Sequence, residues 1–122
     1  ALEFANNPLP IPVRQLIPIN ATLPAVRPDQ VVETLKPFGQ FRTIKIKVAE
    51  PGQDLEQDIA RIAQAHKSYP DARLRLDANG TYSVAQAMKI IKAIAHLPIE
   101  YFEQPVATID ELVELRGQIA TA

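Results

Sequence analysis

Hydrophobic and polar positions recur in this chain with a regular beat. Short β-branched or aliphatic runs start near Ile17 ("IPINA"), Ile44 ("IKIKV"), Arg73 ("RLRLD") and Ile99 ("IEYFEQP"), at intervals of 27, 29 and 26 residues. Those intervals are close to the ~30 residues of a βαβ unit. Each gap holds a helical pattern with its own start signal. Arg27-Pro28 places a proline at a first helical position, ahead of Val31, Val32 and Leu35. Leu55, Ile59, Ile62 and His66 share one face of a helix that Asp54 can cap. "SVAQ" (Ser83, Gln86) and "TIDE" (Thr108, Glu111) are capping boxes that each open an apolar periodic run. The pattern predicts four βα units in series.

Two architectures repeat that unit: an open doubly wound sheet and a (β/α)8 barrel. Doubly wound strands are covered by helices on both faces and read as nearly continuous apolar runs. Here Lys45 and Lys47 alternate with Ile44, Ile46 and Val48. Arg73, Arg75, Asp77 and Asn79 alternate with Leu74 and Leu76, and Tyr101 and Glu103 flank Phe102. A half-solvated antiparallel strand also alternates in this way, but helical crossovers between the strands point to a parallel sheet. The expected fold is α/β, with four consecutive units making about half of a (β/α)8 barrel over residues 17–122. Its ionisable side chains are expected to point into the barrel.

Composition narrows the picture. At 122 residues, 47% hydrophobic and 22% charged, the chain has material for one core. A net charge of −1 offers no basic footprint for nucleic acid or an anionic membrane. No apolar run approaches the ~20 residues that span a bilayer. Cysteine is absent, which removes thiolate chemistry and fits a reducing cytoplasm. The opening "ALEFANNPLPIP" reads as the end of a helix entering a proline-rich connector over residues 1–16, so the chain is expected to begin partway through a larger protein.

On the expected inner face, Lys45, Lys47, Arg73 and Arg75 carry four positive charges against two negative ones from Asp77 and Glu103. Such a surplus is disfavoured in a low-dielectric interior, so either an anion is still to be added or a lysine is neutral. Crowded cations lower a lysine's pKa and make it a usable general base. Asp77 and Glu103 end adjacent strands, a placement that suits a hard cation such as Mg²⁺. The competing reading is a salt bridge of these acids with Arg75 or Lys47. "DANG" read by itself is a turn.

Together, "KIKVAEPG", "LRLDANG" and "YFEQPVAT", each one βα unit apart, resemble the enolase superfamily, specifically its muconate-lactonizing-type branch. The resemblance covers nearly all of residues 17–116. It implies that Lys47 is the base that takes the proton α to a substrate carboxylate, with Lys45 an electrostatic helper beside it. It also implies that Asp77 and Glu103 ligate Mg²⁺, which binds that carboxylate and stabilises the enediolate. Asn20 and Asn79 match polar positions near the site. Within the branch, "NATLPA" and "EQPVAT" resemble dehydratases of menaquinone biosynthesis. N-acylamino acid racemases and dipeptide epimerases share the Lys-x-Lys, Asp and Glu positions. The family pattern places a third metal ligand and a second catalytic lysine beyond residue 122, and an α+β capping domain ahead of residue 1. The remaining alternative is a non-catalytic half-barrel whose sheet edges pair with another chain.

Other features carry less. His66 and His96 sit near helix ends, where a cation complements the helix dipole. "NAT" (Asn20 to Thr22) matches a glycosylation sequon without further signs of secretion. Met88, Ile91 and Ile94 read as helix core.

Overall fold

In the computed structural model, residues 16–120 are described; the connector expected over residues 1–16 lies outside them except for Leu16. Four strands form one parallel sheet in the order β1 (Ala21–Leu23), β2 (Thr43–Lys47), β3 (Arg73–Asp77) and β4 (Ile99–Glu103). Between them run α1 (Val31–Leu35), α2 (Leu55–Ser68) and α3 (Val84–Ile94), and α4 (Ile109–Ala120) follows β4. Strand order equals chain order, without the reversal that defines a doubly wound sheet. Right-handed crossovers between consecutive neighbours put every helix on one side, and each helix packs against the next. The result is an arc of four βα units with a helix-covered outer face and an open inner face.

The core lies between sheet and helices. Ile44, Ile46, Leu74 and Leu76 are fully buried there, with Ile62, Ile90 and Leu115 from the helices. Their strand neighbours Lys45, Lys47 and Arg75 occupy the other face and remain partly open. The lysines therefore point inward, as the alternation predicts.

Helix starts follow the sequence signals. The Asp54 carboxylate accepts the Gln57 N–H at 2.7 Å, and Ser83 Oγ accepts that of Gln86 at 3.3 Å. Thr108 Oγ1 and the Glu111 N–H close the third box at 3.2 Å. α1 is entered by a 3-10 turn, Pro28–Gln30, and buries Val31 and Leu35 while Val32 faces outward.

Two expectations are corrected. The first strand is only Ala21–Leu23 and does not begin near Ile17. Pro18 cannot donate to a ladder, and Ile17 and Ile19 are 75% exposed. The fully buried stripe of α2 is Asp58, Arg61, Ile62 and Ala65; Leu55 and Ile59 pack against the core from its margin, beside a half-buried His66. The helix is rotated so that an acid and a base enter the interior.

The strand ends are locked together past the regular ladder. Val48 N–H bonds the Asp77 carbonyl at 3.0 Å, Ala78 N–H that of Glu103 at 3.2 Å, and Gly80 N–H that of Gln104 at 2.7 Å. Asn79 (φ +48) and Gly80 (φ +73) form the centre of a turn closed by Thr81 N–H on the Ala78 carbonyl. Two successive positive φ values are the requirement of a type I′ turn, which Asn-Gly meets. A Cβ on Gly80 would stand 3.2 Å from Ala107 Cα. Gly80→Ala is expected to lower stability by about 1–3 kcal/mol through strain and backbone crowding, read as a lower denaturant midpoint at unchanged m-value.

Candidate active site

Register decides which side chains meet. β2 and β3 pair Lys45 with Arg75 and Lys47 with Asp77, and β3 and β4 pair Asp77 with Glu103. Lys47, Asp77 and Glu103 thus end three neighbouring strands at one level and on one face. Lys45 lies two residues deeper on the same face.

The ion pairs at this level are short. Lys47 Nζ donates to Asp77 Oδ2 at 2.7 Å and to Asn79 Oδ1 at 2.9 Å. Lys45 Nζ reaches Asp77 Oδ2 at 2.9 Å and Glu103 Oε2 at 2.8 Å. The Asp77 side chain is only 3% exposed, while that of Glu103 is 42% exposed. Asn79 N–H also donates to Asp77 Oδ1 at 3.1 Å, which fixes the carboxylate plane.

Electrostatics follow from those contacts. Burial pushes the Asp77 carboxyl up, but hydrogen bonds from Lys47, Lys45 and the Asn79 backbone outweigh it and leave the group below the usual carboxylate range. The Lys45 ammonium is held well above its ordinary value by its hydrogen bonds to Glu103 and Asp77. Lys45 therefore stays charged in this arrangement. The inner-face cations are each matched to an acid at hydrogen-bond distance.

Part of that matching comes from a residue that strict alternation puts on the wrong face. The β3–β4 register slips by one residue, pairing Leu74 with Ile99 but Arg75 with Tyr101. Glu100 is the extra residue of this bulge, and its carboxylate meets Arg73 at 3.0 Å and Arg75 at 2.5 Å. Arg75 also stands 5.2 Å from the Tyr101 ring centroid, within cation–π range. With Glu100, three acids rather than two answer the four inner-face cations. A compensating acid thus lies within the chain as well as being expected outside it. No pattern of apolar positions reveals the bulge.

Asn79 joins the cluster through Lys47. Asn20 does not: it precedes Ala21 at the opposite end of the sheet, where its amide approaches Thr22 Oγ1 at 3.5 Å. The β1–β2 register sets Thr22 beside Lys45, which leaves Asn20 two residues deeper, at the level of Thr43.

The carboxylate pair fits a hard cation. Asp77 and Glu103 already share one positive group, the Lys45 ammonium, between their oxygens. Both are oxygen donors on rigid strand ends, as Mg²⁺ requires. Among the described residues no third His, Cys, Asp or Glu joins them.

Residues 29–122 match the family model described as "Enolase C-terminal domain-like". The chain belongs to that family. An o-succinylbenzoate synthase from Mycolicibacterium smegmatis is 47% identical over 120 residues, covering 98% of this chain and 37% of the relative. A dipeptide epimerase structure from Enterococcus faecalis superposes with a TM-score of 0.68 at 34% identity, over 85% of this chain and 31% of the other. A Pseudomonas fluorescens enolase structure with bound magnesium, potassium and tartrate gives a TM-score of 0.77 at 22% identity, over 88% of this chain and 30% of the other, and speaks to the fold alone. The family's structures are barrels, so the four units are part of a (β/α)8 barrel. The chain spans about a third of the length of the relatives it matches. Among the described residues, no helix is long and apolar enough to cross a membrane.

Two outcomes are expected from the charge cluster. In metal-free protein, a depressed Asp77 pKa contributes stability that is complete above the ordinary value of 3.8 and is lost as pH falls through the lower folded value. Asp77→Asn should flatten that acid limb in denaturant unfolding measured across the acid range. Lys47→Met leaves Asp77 paired with Lys45, so unfolding free energy at neutral pH should change by less than about 1 kcal/mol.

Proposed function

We propose that the full-length protein is a Mg²⁺-dependent lyase of the o-succinylbenzoate synthase type, acting in menaquinone biosynthesis in the cytoplasm on a small carboxylate substrate. The observation that carries this reading is the convergence of Lys47, Asp77 and Glu103 at the C-terminal ends of three parallel strands, with Lys45 reaching both acids from two residues deeper. That end of a barrel is where catalytic groups sit. The 47% identity to an o-succinylbenzoate synthase supports the choice of reaction.

Each residue has a task in such a reaction. Asp77 and Glu103 would hold Mg²⁺, which supplies Lewis acidity toward the substrate carboxylate when bound. Lys47, with its amine free, takes the proton α to that carboxylate. The C–H electron pair becomes the new C=C bond as the neighbouring C–O bond breaks. Lys47 returns its proton to the departing hydroxyl on the same face, so water leaves by syn elimination and the base is regenerated. Lys45, which in the metal-free arrangement bonds both acids, would add positive potential next to the developing negative charge. Asn79, held 2.9 Å from Lys47 Nζ, steadies the base.

Proton abstraction by the same lysine also serves racemisation or epimerisation, and the 34% identity to a dipeptide epimerase favours that as the second reading. The outer edges of β1 and β4 pair with no strand among the described residues. We propose that further barrel strands, which would bring a third metal ligand, cover them.

The test uses the full-length protein with Mg²⁺. Turnover should be dehydration, followed by the ultraviolet absorbance of the new aromatic ring, and Lys47→Ala should lower kcat by at least about 10²–10⁴-fold. Inversion of N-acyl amino acids or dipeptides without dehydration would transfer the assignment to the second reading. Asp77→Ala should weaken Mg²⁺ binding in a calorimetric titration more than it lowers the melting temperature.

A further inference from the structure

A second charged cluster lies behind the strand ends, on the helix side of the sheet. Asp58 and Arg61, on the first two turns of α2, are both 0% exposed. Asp58 Oδ2 accepts the Ala49 N–H at 2.9 Å and the Tyr82 hydroxyl, and Asp58 Oδ1 accepts from Arg61. Arg61 Nη2 donates to the Lys47 carbonyl at 3.0 Å. Its Nη1 donates to the Val26 carbonyl at 3.0 Å and to Gln53 Oε1 at 2.8 Å.

What this cluster holds is specific. Val26 follows β1, Lys47 to Gln53 end β2 and turn into α2, and Tyr82 follows β3. One helix therefore ties three loops at the C-terminal face of the sheet. Ala49 has φ +60, a left-handed conformation disfavoured for a residue with a Cβ, and Asp58 bonds its N–H. The Tyr82 loop carries Asn79, which meets Lys47 Nζ from the other direction. The clamp thus grips both the backbone of Lys47 and the loop that supports its amine.

Stability alone is a weak reason for such a cluster. A buried ion pair recovers little beyond its desolvation cost, and apolar replacements of similar volume are often as stable. Arg61 Nε is moreover buried without a partner among the described residues, a further cost. A guanidinium offers instead a rigid fork that fixes several acceptors at set angles. Here two of its acceptors are loop carbonyls, one belonging to Lys47 itself.

We propose that Asp58, Arg61 and Tyr82 are positioning residues that fix the Lys47 backbone and the loop behind it, and so aim the Lys47 amine at the substrate's α-carbon. The proposal rests on the function given above for its substrate, but the backbone constraint stands without it. Burial, then the bond to Asp58, keeps the Tyr82 hydroxyl protonated far above neutral pH, so it serves as a permanent donor. Nothing in the cluster touches the inner face, which separates this role from acid–base catalysis.

The experiment compares full-length wild type with Tyr82→Phe and Arg61→Lys. Tyr82→Phe removes one hydroxyl and keeps the ring, whose edge contact with Phe102 has centroids 6.3 Å apart. Arg61→Lys keeps the charge but loses the fork. Both should lower kcat about ten- to a hundredfold, hold KM within about twofold and leave the calorimetric Mg²⁺ affinity unchanged. Amide hydrogen exchange over residues 47–52 should speed up in parallel. Ile90→Val, a core change on α3, should lower the melting temperature without lowering kcat. Folded Tyr82→Phe with wild-type kcat and wild-type exchange at these amides overturns the proposal, as does a kcat that simply tracks melting temperature in Ile90→Val. Should Arg61→Lys not fold, Tyr82→Phe decides by itself. Should wild type neither dehydrate nor epimerise, the function falls, and the exchange rates still judge the clamp.

Discussion

Parallel register across β2, β3 and β4 governs the chemistry available to this chain. Side chains alternate along a strand, so a slip of one residue would send an entire set to the opposite face. With Lys47 opposite Asp77 and Asp77 opposite Glu103, two carboxylates and two ammonium groups occupy one small volume at the strand ends. The same alternation drives Ile44, Ile46, Leu74 and Leu76 under the helices, where they are fully buried. The core therefore enforces the register, and the register assembles the site. Neither can be altered without the other.

That arrangement would be costly if charges merely accumulated. It is tolerable because each inner-face cation is given an acid at contact distance. Asp77 serves Lys45 and Lys47, Glu103 serves Lys45, and Glu100 serves Arg73 and Arg75. The bulge is what makes the third of these possible. By inserting one residue it turns Ile99 toward the helices, where it packs on the core, and releases Glu100 to the arginines. A single irregularity in the ladder thus relieves the deeper layer and leaves Asp77 and Glu103 for the upper one, where a metal ion is proposed.

Much of this was readable in advance, and the limits have physical causes. Spacing and alternation foretold four βα units and inward lysines, because burial on one face imposes a period of two that survives in the residues. Capping boxes foretold the starts of α3 and α4, because their bonds are local in sequence. Glu100 escaped notice because a bulge depends on pairing between strands rather than on either strand's own pattern. Lys45 stays charged for a similar reason, because its pairing with Glu103 and Asp77 depends on contacts between strands. A sum of formal charges on one face carries no distances, and distance decides whether repulsion or pairing prevails. Asn20 matches the site by motif alone, and motif carries no register: the pairing of Thr22 with Lys45 leaves Asn20 at the level of Thr43.

Asp58 and Arg61 illustrate the hardest case. Their i, i+3 spacing on α2 is that of an ordinary surface ion pair. Yet Asp58, Ile62 and Ala65 also follow i, i+4, i+7, so an acid stood on an apolar stripe. That conflict between local pattern and burial was the available signal. Sequences tend to break their own rules where function demands it. The buried pair reaches no substrate position itself, but its bonds end on the Lys47 carbonyl and on the Ala49 amide two residues later. A lysine amine at the tip of a four-carbon stem can be aimed only as well as the backbone beneath it is held. The inner face supplies the reacting groups, and the covered face supplies the stiffness that makes their geometry reproducible.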